Sequence, residues 1–293
     1  MKSVPRLLFI GCGDVALRAA PILRKQFRLF GLTRSAGNFA ELRSHGIQPI
    51  VGDLDSPATL RRLGGIAHYV LHAAPPPNQG KLDTRTRHLI CALNKGEILP
   101  QRIVYISTSG VYGDCGGANI DETQPVNAQT PRAQRRVDAE QRLRGWCAGN
   151  SIALSILRVP GIYSAERLPL KRLQKGVPAL NQSEDVFTNH VHADDLAKAC
   201  AIALFRGLPQ RAYNICDGHA KKMGDYFDLV AEALGLEKPP RVSRAEAERV
   251  IDEPGLSFMR ESRRLQNRRM IDELHVHLKY PSVELFLNSV KRA

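Results

Sequence analysis

Three stretches of the sequence carry side chains and spacings suited to chemistry. Gly11-Cys12-Gly13-Asp14-Val15-Ala16 is a glycine turn directly after the apolar run Leu7-Leu8-Phe9-Ile10. Gly11 allows a sharp turn, and Gly13 lets a pyrophosphate approach the backbone. The methyl of Ala16, where a third glycine is common, still permits close strand–helix packing. A helix opening at about Val15 would offer phosphate its free N–H groups and positive dipole end. The same pattern also serves as a plain turn between a strand and a helix. The second stretch is Thr33-Arg34-Ser35. NAD sites place an acid near this point for the ribose hydroxyls, whereas an arginine accommodates a 2′-phosphate. No acid is present, so Arg34 points to NADP(H) rather than NAD(H), with a surface arginine as the alternative. The third stretch, Ser107-Thr108-Ser109, sets three hydroxyls after an apolar run. Such hydroxyls polarise a substrate carbonyl or satisfy the backbone of a turn.

These residues need a scaffold that gathers them. Apolar runs predict strands over about 7–10, 28–32, 48–51, 69–73, 102–106 and 211–215. Helical stretches at about 15–26, 38–45, 84–93, 131–149 and 196–205 alternate with them, and others follow near 223–234 and 244–251. That alternation implies right-handed crossovers and an α/β, doubly wound parallel sheet, which binds ligands outside the carboxyl ends of its strands. All three stretches fall at such ends. So do Gly52-Asp53-Leu54, whose Asp53 could bond an adenine amino group, and Ala73-Ala74-Pro75, a rigid wall without bulky side chains. Helix capping is the structural alternative for the Asp53–Asp55 region, and a plain corner for the prolines.

Length and composition bound the rest. The 293 residues can bury a large core, and 43% hydrophobic with 24% charged residues is a globular composition. No apolar run reaches membrane-spanning length, so no membrane partner is expected. The six cysteines show no C-x-x-C spacing and read as reduced thiols of a cytoplasmic protein. Metal-ligand spacings are absent too. The net charge of +13 is spread along the chain, with one dense patch at Arg260, Arg263, Arg264, Arg268 and Arg269. Aromatics are not interleaved there, so a solvated basic surface or attraction of anionic ligands is expected ahead of nucleic acid binding.

Six ordered segments resemble the extended short-chain dehydrogenase/reductase family, the NAD-dependent epimerase/dehydratase type. They are Gly11 to Ala16, Gly52-Asp53-Leu54, Ser107 to Gly113, Leu157-Arg158-Val159-Pro160-Gly161-Ile162-Tyr163, Asn189 to Ala197 and Tyr213-Asn214-Ile215. The resemblance implies a Rossmann-type core over 1–163, completed by 186–216. A smaller C-terminal substrate lobe would comprise 164–185 and 217–293. It places Gly11, Gly13, Asp14, Val15, Ala16, Thr33, Arg34, Asp53, Leu54, Ala73, Ala74, Pro75, Thr108, Arg136 and Val159 at the cofactor, and gives Thr108 the catalytic Ser/Thr position. Arg167, Lys171, Arg172 and Lys175 recur at three- and four-residue steps and give a basic helix face; the resemblance implies that this region covers a substrate, often an anionic sugar-nucleotide, with a solvated face as the alternative. A homodimer would form through the helices near 84–93 and 131–149.

The pattern breaks at one point. Family enzymes carry a Tyr and, one helical turn on, a Lys that lowers its pKa and holds the ribose. Anchored on Ala139-Glu140, those positions are Arg132 and Arg136, and no Tyr or Lys occurs between Tyr112 and Tyr163. Arg136 could still bond ribose hydroxyls, but a guanidinium does not shuttle protons near neutral pH. His190 and His192, in the segment returning to the crevice, read as structural histidines or substitute acid/base groups. Asp194-Asp195 reads as a helix N-cap. Two functions follow: an NADP-dependent oxidoreductase or epimerase with atypical acid/base residues, or a non-catalytic NADP(H)-binding regulator acting through a partner.

Overall fold

The computed structural model describes residues 4–290. Its centre is a seven-stranded, wholly parallel sheet formed by β1 (Arg6–Ile10), β2 (Arg28–Thr33), β3 (Ile47–Val51), β4 (Tyr69–His72), β5 (Arg102–Thr108), β6 (Ala153–Val159) and β7 (Arg211–Asn214). The spatial order is β7-β6-β5-β4-β1-β2-β3. The chain therefore reverses direction across the sheet between β1 and β4, the switch point that opens a crevice in doubly wound folds.

Alternation along each strand builds two cores. Leu7 and Phe9 of β1 face one side, with α1 (Asp14–Leu23) and α6 (Ala193–Arg206). Leu8 and Ile10 face the other, with α3 (Thr84–Leu93) and α4 (Pro131–Gly149). Successive side chains of a strand point to opposite faces, so both sides being apolar is what a sheet covered twice requires. A short α2 (Phe39–Ser44) leads from β2 into β3. Further apolar clusters form beyond the sheet. One joins Tyr163, Leu173, Tyr226, Phe227 and Phe286; it involves α5 (Leu170–Gln174), α7 (Met223–Leu234) and the helix Val283–Val290. Another joins Leu180, Ala247, Ile251, Leu256 and Met259.

Three helices run as the sequence predicts, and their signals are visible. Asp83 caps α3 through the Thr86 N–H; Thr130 caps α4 through the Ala133 N–H, with Pro131 following; Gly235, in the left-handed region, ends α7. α1 is shorter than expected. Pro21 lies inside it, removes one helical hydrogen bond, and the helix ends at Leu23. The cap of α6 also differs. His192 takes that role, accepting the Asp194 N–H at 3.1 Å. Asp194 binds Arg18 instead, and Asp195 receives the backbone N–H groups of Lys279 and Tyr280. The expected basic helix face does not form as one surface. Pro169 precedes α5, Arg167 lies before it and pairs with Asp14, and Arg172 turns onto the Phe227 ring.

Candidate active site

Two cavities lie along the carboxyl ends of the strands and share Pro75. The first, about 320 Å³, is lined by residues from the ends of β1 to β4: Gly11, Cys12, Thr33, Arg34, Asp53, Leu54, Ala74 and Pro75 among them. Gly11 has φ +91°, and a Cβ there would sit 2.5 Å from the Ala74 nitrogen. Only glycine fits where the turn meets the end of β4. A Cβ on Gly13 would meet no heavy atom within 4 Å. The turn thus faces open space, and α1 has no side-chain cap to satisfy its first N–H groups. Such a cradle fits a pyrophosphate.

The far wall of this cavity is built by short polar links. The Thr33 hydroxyl receives the Ser35 N–H and the Asn38 amide, and Ser35 accepts the Gly37 N–H. Arg34 is exposed and makes no hydrogen bond or ion pair among the described residues. Asp53 accepts the Asp55 N–H, so it shapes its own turn. Asp55 does not cap a helix. It binds Arg85 at two points, 2.8 and 2.6 Å, and the guanidinium holds its carboxyl below the usual range. Arg85 also donates to the carbonyls of Pro75 and Pro76, tying the β3 and β4 ends together. Nothing local in the sequence marks this arginine, because its partners lie nine or more residues away.

Several residues expected at the cofactor lie outside the lining. Asp14 binds Arg18 at 2.6 Å. Ala16 and Val159 are buried in the core, with Val15 and Ala73 packed against it.

The second cavity, about 380 Å³, lies over β5 and α4. It is lined by Thr108, Ser109, Arg132, Arg135 and Arg136, and by Asn189, Phe258, Glu261 and Arg263 from later in the chain. The β5–β6 register sets Thr108 beside Val159 and Ser107 beside Arg158. The Thr108 hydroxyl accepts the Gly110 N–H at 3.2 Å. Arg136 donates to the Tyr105 hydroxyl and the Ile106 carbonyl, at 3.1 and 2.8 Å. Arg132 lies over the Phe258 ring, 4.3 Å from its centre. Burial, with Arg136, Arg263 and Arg135 nearby, lowers its pKa from the usual guanidinium value. Beneath the cavity, Glu140 forms a buried pair with Arg158 and accepts the Ser107 hydroxyl at 2.6 Å. Tyr112 is buried and bonds Asn214 at 2.7 Å.

Neither candidate histidine lines this cavity. His190 is buried and stacked on Tyr226, and burial pushes its pKa down to about 4. His192 packs against Tyr280 and Phe286 as it caps α6. The C-terminal arginine patch is dispersed. Arg260 pairs with Glu253, Arg264 donates to the Gly117 carbonyl, and Arg269 approaches Glu122. Asn189 bonds both Arg263 and Leu265 of that segment, holding it against the site. Among the described residues no cluster could hold a metal ion, and no helix is long and apolar enough to cross a membrane.

Comparison with known proteins agrees with this fold. The protein called YeeZ from Escherichia coli K12 is 31% identical over 138 residues, 47% of this chain and 48% of that protein. This match thus spans about half the length of that relative. A functionally unknown conserved protein from Silicibacter pomeroyi superposes with a TM-score of 0.79 at 26% identity, covering 98% of each chain. DesIV, a dTDP-glucose 4,6-dehydratase from Streptomyces venezuelae solved as a double mutant with NAD and DAU bound, superposes with a TM-score of 0.77 at 19% identity. That superposition covers 98% of this chain and 96% of that one, and at this identity it speaks for the fold. The model of the NAD dependent epimerase/dehydratase family matches residues 19–216, and with most of the chain so matched, this protein belongs to that family.

Proposed function

We propose that this protein is an NADP(H)-dependent oxidoreductase or epimerase that works on a carbonyl or carbinol substrate with atypical acid/base groups. The observation that carries this reading is the pair of cavities meeting at Pro75 along the strand ends. In it, Gly11, Gly13 and the start of α1 hold the pyrophosphate, Asp53 faces the adenine side, and Arg34 takes a 2′-phosphate. Arg34 supports NADP(H) because its guanidinium has no partner of its own among the described residues. NAD bound to DesIV supports a nicotinamide cofactor in the broader sense. The cofactor would supply or accept a hydride. Thr108 orients the substrate oxygen, and Arg136, anchored on the Ile106 carbonyl, keeps a fixed positive charge beside it. Residues 164–185 and 217–293 act as the substrate lobe.

The loss of Tyr-x-x-x-Lys favours a second reading, a non-catalytic NADP(H)-binding regulator. Neither Arg132 nor Arg136 can shuttle a proton, and general acid/base help is typically worth about 10²–10⁴-fold. Calorimetric titration with NADP(H) and NAD(H), on wild type and Arg34→Ala, tests the shared part. NADP(H) should bind tighter, and the variant should lose that preference. Absence of binding by either dinucleotide overturns both readings. Consumption of NADPH in a screen of carbonyl compounds then separates enzyme from regulator.

A further inference from the structure

We infer that the cavity over β5 and α4 is an anion site, in which Arg132 and Arg135 hold the carboxylate or phosphate group of a small substrate. This rests on the reading of the crevice as a cofactor-and-substrate site, and it moves the anion from the expected helix at 167–175 to α4. The lining carries four guanidinium groups, Arg132, Arg135, Arg136 and Arg263, against one carboxylate, Glu261. Two of the four are committed to the protein. Arg136 donates to Tyr105 and Ile106, and Arg263 donates to the Gly113 carbonyl and to Glu261, at 2.6 and 2.9 Å.

The other two form no ion pair among the described residues, although the charge of Glu261 acts on Arg132 from beyond pairing distance. Arg135 is 7% exposed, and its only hydrogen bond among the described residues runs from Nη1 to the Gly80 carbonyl at 2.6 Å. Its Nε is buried without a partner. A buried guanidinium with one hydrogen bond and no counter-charge carries an uncompensated desolvation cost, which the charge of an anion in the cavity that Arg135 lines would offset. Arg132 has no hydrogen bond or ion pair among the described residues, and the Phe258 ring holds its guanidinium in place. Three residues apart on one helix, the two present planar forks on neighbouring positions of one face, the geometry that grips carboxylate and phosphate oxygens in pairs. The dinucleotide's phosphates belong at Gly11 and Gly13, beyond Pro75, so this anion is the second ligand's. Thr108 lines the same cavity. The substrate class is therefore a compact hydroxy- or oxo-acid, or a phosphate ester, with its carbonyl or carbinol oxygen at Thr108.

Calorimetry with inorganic phosphate and, separately, malonate tests this on wild type, Arg132→Gln, Arg135→Gln and Arg132→Lys. NADPH titration of each variant reports folding and the other half of the crevice. At least one probe should saturate, and each Gln variant should weaken it tenfold or more. Arg132→Lys, which keeps the charge and loses the fork, should fall between. Tighter phosphate assigns a phosphate ester, and tighter malonate assigns an acid. The inference is overturned if neither anion saturates while NADPH binds, or if both Gln variants bind as wild type does. Anion binding without NADPH binding removes the cofactor reading and leaves the anion site standing.

Discussion

Replacing Glu140 by leucine should destabilise the protein far more than replacing Glu140 and Arg158 together. The two side chains are 4% and 6% exposed, and Arg158 reaches both carboxylate oxygens, at 2.8 and 3.3 Å. The Ser107 hydroxyl donates to the same carboxylate. Glu140→Leu leaves a guanidinium buried without its counter-charge, a loss of about 3–5 kcal/mol. Against a total stability of about 5–15 kcal/mol, that is a large fraction. Removing both charges exchanges an ion pair for apolar contact, which is often neutral or stabilising. It still strands the Ser107 hydroxyl, at about 1–3 kcal/mol. Glu140→Leu/Arg158→Leu should therefore lie above either single variant in stability. Urea unfolding followed by circular dichroism and by the fluorescence of Trp146, the sole tryptophan, gives the three free energies of the cycle. If Glu140→Leu costs less than about 1 kcal/mol, or the two single losses simply add, the pair does not hold the end of β5 as argued.

Other perturbations have equally definite outcomes. Gly11→Ala must adopt φ +91° against the Ala74 backbone, costing about 1–2 kcal/mol from the backbone conformation before any clash. Both melting temperature and dinucleotide affinity should fall, and unchanged values would refute the close approach. Arg34→Ala should weaken NADP(H) by about 10–100-fold, the worth of a charge-assisted contact, and leave NAD(H) within a few-fold. Equal losses for both would show that Arg34 does not read the 2′-phosphate. Burial pushes the Asp217 carboxyl from an ordinary 3.8 to about 7; one oxygen has no partner, the other accepts the His219 N–H, and Lys221 and Glu284 are nearby. The folded state then holds a proton that the unfolded chain has released, so this group lowers stability as pH rises from about 4 to about 7. Asp217→Asn should remove that slope, at most ~1.4 kcal/mol per pH unit. A stability difference between variant and wild type that stays constant across the window would exclude it.

What could be read from the sequence divides along a physical line. Strand positions and the parallel, doubly wound class followed from continuous apolar runs, as in Leu7-Leu8-Phe9-Ile10, because burial on both sides of a sheet forces that pattern; the spatial order of the strands did not. Helix bounds followed where a chemical stop was present, as at Thr130-Pro131 and Gly235, and slipped where tertiary partners competed. Asp194 had the right type for a cap but was drawn to Arg18, leaving the role to His192. In the site, Gly11 was legible because its backbone conformation admits one residue. Arg135 was legible in principle, three residues from Arg132 on a helix. Phe258, Glu261 and Arg263 were not. They reach the cavity through links such as Asn189 to Leu265 and Arg263 to Gly113, across a sequence separation that no local pattern records.

The same long-range delivery bears on how protons could move. Arg136 stands where the family resemblance expects a lysine, but its donors are fixed on Tyr105 and Ile106. Burial pushes the Tyr105 hydroxyl up to about 12, so it does not ionise near neutral pH. His72, close behind at the end of β4, is buried against Thr86 and pushed down to about 3, so it stays uncharged. Tyr105 and His72 are thus each held in one protonation state by desolvation. Within the lining, Glu261 is the single acid, and it arrives from the C-terminal segment rather than from α4. α4, which in the resemblance carries the proton shuttle, here supplies fixed positive charge. On the proposed reading, with a substrate oxygen at Thr108, its proton would come from solvent or from Glu261 rather than from α4.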